Sequence, residues 1–174
     1  MIMPQGIRKV ALVVHVASSV GSLGAVAAFL ALAIIGLAGQ DDRLVRSTYV
    51  AADVLARVVI VPLVMASFLS GLVQSLGTAW GLFRHYWVLV KFLLNLLVVV
   101  VLLLQVKGIV YLGVASLESI MSNSDQLDLR RSLVIHAAGG LVVLLVTTAL
   151  SVYKPRGMTR YGWRRHHRPR PGGA

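Results

Sequence analysis

The stretch WGLFRHYWVLVKFLLNLLVVVVLLLQV, residues 80–106, decides the fold of this chain. It opens with aromatic and basic residues and then continues, after Lys91, without a charged residue as far as Val106. A helix that crosses a bilayer needs roughly 20 mostly apolar residues, and in hydrocarbon it satisfies its backbone hydrogen bonds internally. Residues 87–106 therefore predict a membrane-spanning helix.

Three other stretches have the same character, at residues 10–37, 54–76 and 133–152. The 174-residue chain is 57% hydrophobic and 13% charged, and its mean hydropathy of +0.83 is too high for an ordinary water-soluble domain. The runs are continuous rather than alternating, which favours helices over barrel strands. The first run is also longer than the apolar core of a signal peptide, about 7–15 residues. The sequence predicts an all-α integral membrane bundle of four transmembrane helices in residues 1–153.

The distribution of charge predicts how the bundle lies in the membrane. Basic residues gather in cytoplasmic segments next to the ends of spans. With the N-terminus in the cytoplasm, the inner side holds eleven of the seventeen Lys and Arg residues, and all six acids lie on the outer side. Arginine outnumbers lysine by thirteen to four, which fits a GC-rich bacterial genome. We expect a multi-pass protein of a bacterial cytoplasmic (inner) membrane with both termini in the cytoplasm.

The turn between the second and third spans has the chemistry of a membrane interface. Aromatic rings with a polar edge favour the headgroup layer, and long basic side chains reach back to that layer from within a span. We assign lipid contact to five residues: Trp80, Arg84, Tyr86, Trp87 and Lys91. An alternative that the residues leave open is a ligand or partner site built on His85 and Arg84.

Residues 154–174, KPRGMTRYGWRRHHRPRPGGA, follow the last span and are rich in Arg, Pro and Gly. This composition predicts a disordered cytoplasmic tail. Anionic lipid headgroups attract such a tail by about 1 kcal/mol for each basic residue near the surface. No nucleic-acid-reading module accompanies the tail, so we expect lipid rather than nucleic acid as its partner.

Small residues at four-residue spacing predict close packing between the spans. Three stripes have this spacing: Ala17, Gly21 and Ala25; Ser67, Gly71 and Ser75; and His136 with Gly140. Such stripes also permit self-association or a membrane protein partner.

Polar side chains inside the spans have two interpretations. They are costly in lipid and face the bundle interior, where they either bond neighbouring helices or form a functional site. The residues concerned are His15, Gln74, Asn95, Gln105 and His136. No acid lies in the central part of a span, which disfavours proton pumping and cation-coupled transport. The absence of cysteine excludes thiolate metal sites and covalent haem attachment.

The histidines define candidate haem b and copper sites, because imidazole binds both iron and copper. His15 and His136 differ in predicted depth by roughly 22 Å, too far to clamp one iron. Two pairs have similar predicted depth: His15 with His85 in the inner half, and His136 with Met65 in the outer half. The three histidines are the haem candidates, and His136 with Met65 is the copper candidate.

Three segments carry a resemblance to a known family: HVASSVGSLGAVAAFLAL at residues 15–32, PLVMASFLSGLVQSLGTAWGLFRHYWVLVKF at residues 62–92, and SVYKPRGMTRYG at residues 151–162. Together they resemble an uncharacterised family of small actinobacterial integral membrane proteins, over nearly the whole chain. More distantly, the first three spans are similar to the copper-resistance D-type membrane superfamily. This similarity implies copper or haem handling, with His15 matching the family's first-span histidine and Lys91 the lysine after its tryptophans. The chain departs from the copper-transport pattern, since its outer loop is not rich in methionine.

The leading functional hypothesis is a non-enzymatic membrane module that acts through lipid contact or a protein partner. The alternative is a haem- or copper-binding membrane protein for metal handling or electron transfer. A small-solute transporter is the third.

Overall fold

The computed structural model describes residues 3–77, 85–117 and 124–153, together with residues 157, 159 and 163. Its elements are α1 (Gln5–Ala38), α2 (Asp42–Leu55), a π-helical turn (Ala56–Ile60), α3 (Val61–Gly77), α4 (Tyr86–Leu117) and α5 (Ser124–Tyr153). Because α2, the π-helical turn and α3 follow one another without a break, they form one long helix. The predicted all-α fold is confirmed.

Four helices are long and apolar enough to cross a membrane, judged by their length and composition. They are Gln5–Ala38, Asp42–Gly77, Tyr86–Leu117 and Gln126–Tyr153. This finding confirms the predicted bundle of four transmembrane helices, and the chain is a multi-pass membrane protein.

Each span packs against the next one in the chain, and the last packs against the first. In the described residues, no Cα atom of α1 lies within 8 Å of one in α4, and none of α3 lies within 8 Å of one in α5, so these pairs lie across the bundle from each other. We call the end of the bundle that holds Gln5 and Tyr153 the terminal end. The opposite end, where α1 finishes and α2 begins, is the distal end.

The bundle core is apolar along most of its length, and fifteen buried residues form one cluster. Two of the predicted small-residue stripes bring helices close together. A Cβ added at Gly21 would lie 3.1 Å from Leu63 Cδ1, and one added at Gly71 would lie 3.0 Å from His15 Cε1. The third stripe is different, since nothing lies within 4 Å of an added Cβ at Gly140. Gly140 therefore does not mediate close packing within the bundle.

The helices extend beyond the predicted spans at the distal end. Helix α2 begins at Asp42, α4 continues to Leu117 and α5 begins at Ser124. The Asp41 side chain accepts a hydrogen bond of 3.0 Å from the backbone N–H of Arg43, which caps the start of α2. A helix need not end where its apolar run ends, provided that one face stays packed against its neighbours. We call residues 42–53, 108–117 and 124–132 the distal extension.

The π-helical turn ends two residues before Pro62, and proline bends or breaks a helix at its own position. Within this turn the backbone N–H of Val61 donates to the carbonyl oxygen of Ala56, five residues earlier. Proline has no N–H to donate, so the helix in front of it loses a regular hydrogen bond. In the wider π-helical turn, the backbone N–H groups next to that position donate to carbonyl oxygens five residues earlier.

Several predicted residues lie outside the described part of the chain. They include Trp80 and Arg84 of the interface turn and most of residues 154–174. Lipid contact at these positions stays a prediction.

Candidate functional site

The polar residues of the first two spans meet at the α1–α3 contact, where His15 is central. Its ring Nδ1 lies 3.0 Å from the carbonyl oxygen of Ser67 and 3.2 Å from the hydroxyl of Ser70. Since a carbonyl oxygen only accepts, this geometry assigns the proton to Nδ1 and leaves Nε2 with its lone pair. Gly71 makes room for the ring.

Two further hydrogen bonds join the same helices. The hydroxyls of Ser19 and Ser67 lie 2.7 Å apart, and Gln74 Nε2 donates to the carbonyl oxygen of Ala11 at 3.0 Å. These contacts agree with the interpretation of span polar residues as bonds between helices.

Lys91 joins the other two helices of the bundle. Its half-buried ammonium donates to the hydroxyl of Ser151 at 2.6 Å, near the last turn of α5. Asn95, one turn further along α4, donates its side-chain N–H to the carbonyl oxygen of Lys91 at 2.9 Å. Together with His15 and Gln74, these residues form a polar layer in the terminal half of the bundle.

Lys91 lies far from the acidic side chains that the structure describes. Asp41 caps α2, Asp42 and Asp53 lie on α2, and Asp128 lies near the start of α5, so all four are at the distal end. An added Cβ at Gly108 would lie 2.8 Å from Leu129 Cδ1, which places the neighbouring Asp128 near the level of Gly108. Gly108 is seventeen residues beyond Lys91 on α4, or roughly 25 Å along the helix. None of these described carboxylates therefore neutralises Lys91.

His136 belongs to a separate polar group at the α4–α5 contact. Its Nδ1 lies 2.7 Å from the carbonyl oxygen of Ser132 and 2.5 Å from Gln105 Nε2. Gln105 Nε2 also donates to the Ser132 hydroxyl at 3.0 Å. The ring is exposed on the bundle surface. Met65, its predicted copper partner, lies on α3, which is across the bundle from α5.

His85 precedes α4, and its carbonyl oxygen accepts from the backbone N–H groups of Val88 and Leu89. Its ring centroid is 6.5 Å from that of Trp87. Tyr86 is 54% exposed at the same end of the helix, and such an exposed ring suits a headgroup layer. His85 is six residues before Lys91, roughly 9 Å along the helix axis.

A small void lies beside the polar layer. The void beside the polar layer has a volume of about 10 Å³, enough for about one water, whereas pockets for small molecules hold about 300–1,000 Å³. It is lined by Ser22, Val64, Ser67, Phe68, Asn95, Val99 and Leu144. Among the described residues, no group of three or more His, Cys, Asp or Glu side chains is placed to hold a metal ion.

A second polar cluster, in the distal extension, was not predicted as a unit. Asp53 is buried, and its carboxylate accepts from the Nε and Nη2 groups of Arg57. Across the bundle, the guanidinium carbon of Arg130 lies 5.2 Å from the centroid of the Tyr49 ring, a cation–π distance. The four-residue spacing of Asp53 and Arg57 signals their ion pair, whereas no sequence pattern signals the contact between Tyr49 and Arg130.

Comparisons with protein-family models, with curated proteins and with solved structures give no match to this chain.

Proposed function

We propose that this chain is a non-enzymatic membrane module whose terminal end faces the cytoplasm and binds anionic lipid headgroups. Lys91 is the residue that carries this proposal, because its ammonium is half-buried and the acidic side chains that the structure describes lie at the other end of the bundle. A charge in a bundle is costly unless an opposite charge compensates it. No described carboxylate supplies this compensation, which favours an anion from the membrane.

The surroundings of Lys91 favour a lipid phosphate as that anion. Lys91 lies in the second turn of α4, within reach of a headgroup layer. The N-terminus of α4 lies at the same end and has no acid in its first turn, so its helix dipole adds positive potential. The exposed ring of Tyr86 supplies the amphipathic surface found at membrane interfaces.

The hydrogen bonds of the remaining span residues support a structural rather than a catalytic role for them. His15, Gln74 and Gln105 each bond a residue of a neighbouring helix. Such bonds hold a bundle together in lipid, where each contributes about 0.6 kcal/mol on average. Their side chains are directed at other helices rather than at a shared reaction centre.

The replacement of Lys91 by glutamine tests the proposal. We expect Lys91→Gln to weaken retention of phosphatidylglycerol about fivefold relative to phosphatidylcholine, since one basic residue near a surface contributes about 1 kcal/mol. Native mass spectrometry of the purified protein with each lipid measures this ratio. Lys107→Gln is the matched control, because Lys107 lies sixteen residues further along the same helix. Equal retention in wild type and Lys91→Gln would refute a lipid site at Lys91.

The second candidate function is the binding of haem or copper, as the resemblance to the copper-resistance superfamily implies. One observation favours it: the bond between His15 Nδ1 and the Ser67 carbonyl oxygen leaves Nε2 as a ligand atom, which is the usual arrangement of metal-binding histidines. An absorption spectrum and metal analysis of protein purified in mild detergent test it. A stoichiometric metal signal that His15→Ala removes would establish this function, and metal-free folded protein would exclude it.

A further inference from the structure

A surface groove lies between α2 and the distal part of α4. Its volume is about 690 Å³, within the range of small-molecule sites. Its walls are formed by Arg46, Ser47, Val50, Ala51, Val54, Leu55, Val59, Ser116 and Leu117. None of these residues belongs to the polar layer around Lys91.

The polar residues of the groove are gathered toward one end. An added Cβ at Gly113 would lie 2.9 Å from Asp53 Cβ, which sets the register of the antiparallel helices α2 and α4. In this register Ser116 lies opposite the α2 turn that follows Arg46 and Ser47. The groove is therefore polar and basic at its distal end and apolar from there down to Val59.

The apolar end of the groove opens toward the lipid phase. Val59 lies in the π-helical turn, two residues beyond Arg57 in the direction of the membrane interior. The second candidate membrane-spanning helix runs from Asp42 to Gly77, so the whole α2 wall of the groove, from Arg46 to Val59, lies on it.

The π-helical turn shapes this lower end. π-helical turns are rare and occur frequently at functional sites. Here the turn supplies Val59 to the groove wall, and Leu55 directly precedes it. The extra residue in the turn rotates the following side chains relative to a regular helix, so the wall below Val54 differs from a continuous α-helical face.

We infer that this groove holds one acyl chain of an anionic membrane phospholipid, with the phosphate at Arg46. An acyl chain matches the apolar length between Val50 and Val59, and the lipid phase at the lower end supplies it directly. A phosphate group matches the half-buried guanidinium at the upper end. This site is at the opposite end of the bundle from Lys91 and does not depend on the function proposed above.

A photoreactive lipid tests this inference. The probe is phosphatidylglycerol with a photoreactive group near the end of one acyl chain, incorporated with the full-length protein into liposomes. After illumination, peptide mass spectrometry locates the label. We expect the label to concentrate at Leu55 and Val59, compared with Leu103 and Leu104, which are 51% and 73% exposed outside the groove. Labelling in proportion to exposure alone would overturn the inference.

Two variants make the test specific. Ala51 lines the groove and is exposed, so Ala51→Trp fills the groove without disturbing the core, and it should remove most of the label. Ala28→Trp is the control, because Ala28 is exposed on α1 away from the groove, and it should leave the label unchanged. Cross-linked dimers in place of lipid adducts would assign the groove to a second copy of the chain and overturn the inference.

The headgroup part of the inference has its own readout. Arg46→Gln should lower groove labelling by the phosphatidylglycerol probe about fivefold relative to a phosphatidylcholine probe of the same design. Lys91→Gln should leave groove labelling unchanged, so failure of the Lys91 site and failure of the groove site give different results. An unchanged preference in Arg46→Gln would refute phosphate recognition at Arg46.

Discussion

Close packing around one aromatic side chain, Tyr49, connects the spans at the distal end of this bundle. Tyr49 is 1% exposed, and a Cβ added at Gly36 would lie 2.7 Å from its ring Cζ. A glycine at this position lets the backbone of α1 lie directly against the phenol tip of Tyr49. The guanidinium of Arg130 on α5 lies over the same ring. The Tyr49 side chain on α2 therefore contacts both α1 and α5.

The close approach at Gly36 gives a prediction at the scale of one residue. Gly36→Ala forces an atom into space that the Tyr49 ring occupies, and overpacking of this kind costs about 1–3 kcal/mol. We expect a matching loss in the free energy of unfolding, measured by thermal or denaturant unfolding in detergent. Gly24→Ala is the matched control on the same helix, since nothing lies within 4 Å of its added Cβ. Equal stability of the two variants would contradict the packing described.

At the scale of the elements, the start of α2 depends on one cap. Asp41→Ala removes the side chain that accepts from the Arg43 N–H, and loss of such a cap costs about 1 kcal/mol. We expect faster amide hydrogen exchange in the first turns of α2, measured by mass spectrometry. Asp42→Ala, which removes a neighbouring carboxylate of the first helical turn, should have a smaller effect. Similar exchange rates in both variants would show that the cap does not set the helix start.

The four spans were predictable from the sequence because each is a long apolar run, and hydrocarbon permits no other structure for such a run. The length of the distal extension was less predictable, since residues 42–53 contain charged and polar side chains and no long apolar run. Their helix is stabilised by packing of Val45, Tyr49 and Ala52 against other elements, which a single sequence does not reveal.

The candidate site was only partly predictable for a similar reason. Asn95 and Lys91 were recognised as neighbours on one helix face, because four-residue spacing fixes that relation. The bond between Lys91 and Ser151 joins residues 60 positions apart, and it follows from the order in which the spans pack. The groove was not predictable for the same reason, since its walls come from α2 and the end of α4, which are distant in the sequence.

For the molecule as a whole, orientation in the membrane is the property to test. The sequence contains no cysteine, so single introduced thiols report position without a background. We expect a membrane-impermeant maleimide on intact cells to label Ser47→Cys at the distal end and not Thr159→Cys after α5. Permeabilised cells, in which both variants should react, are the control. Labelling of Thr159→Cys alone in intact cells would reverse the orientation and move the Lys91 site to the outer leaflet.

The bond between Lys91 and Ser151 also bears on how the protein is made. Lys91 is synthesised 60 residues before Ser151, whose hydroxyl accepts its hydrogen bond. Until then the Lys91 ammonium lacks its contact from α5. The third and fourth spans should therefore settle in the bilayer as one hairpin, and the terminal end of the bundle should be the last part to assemble.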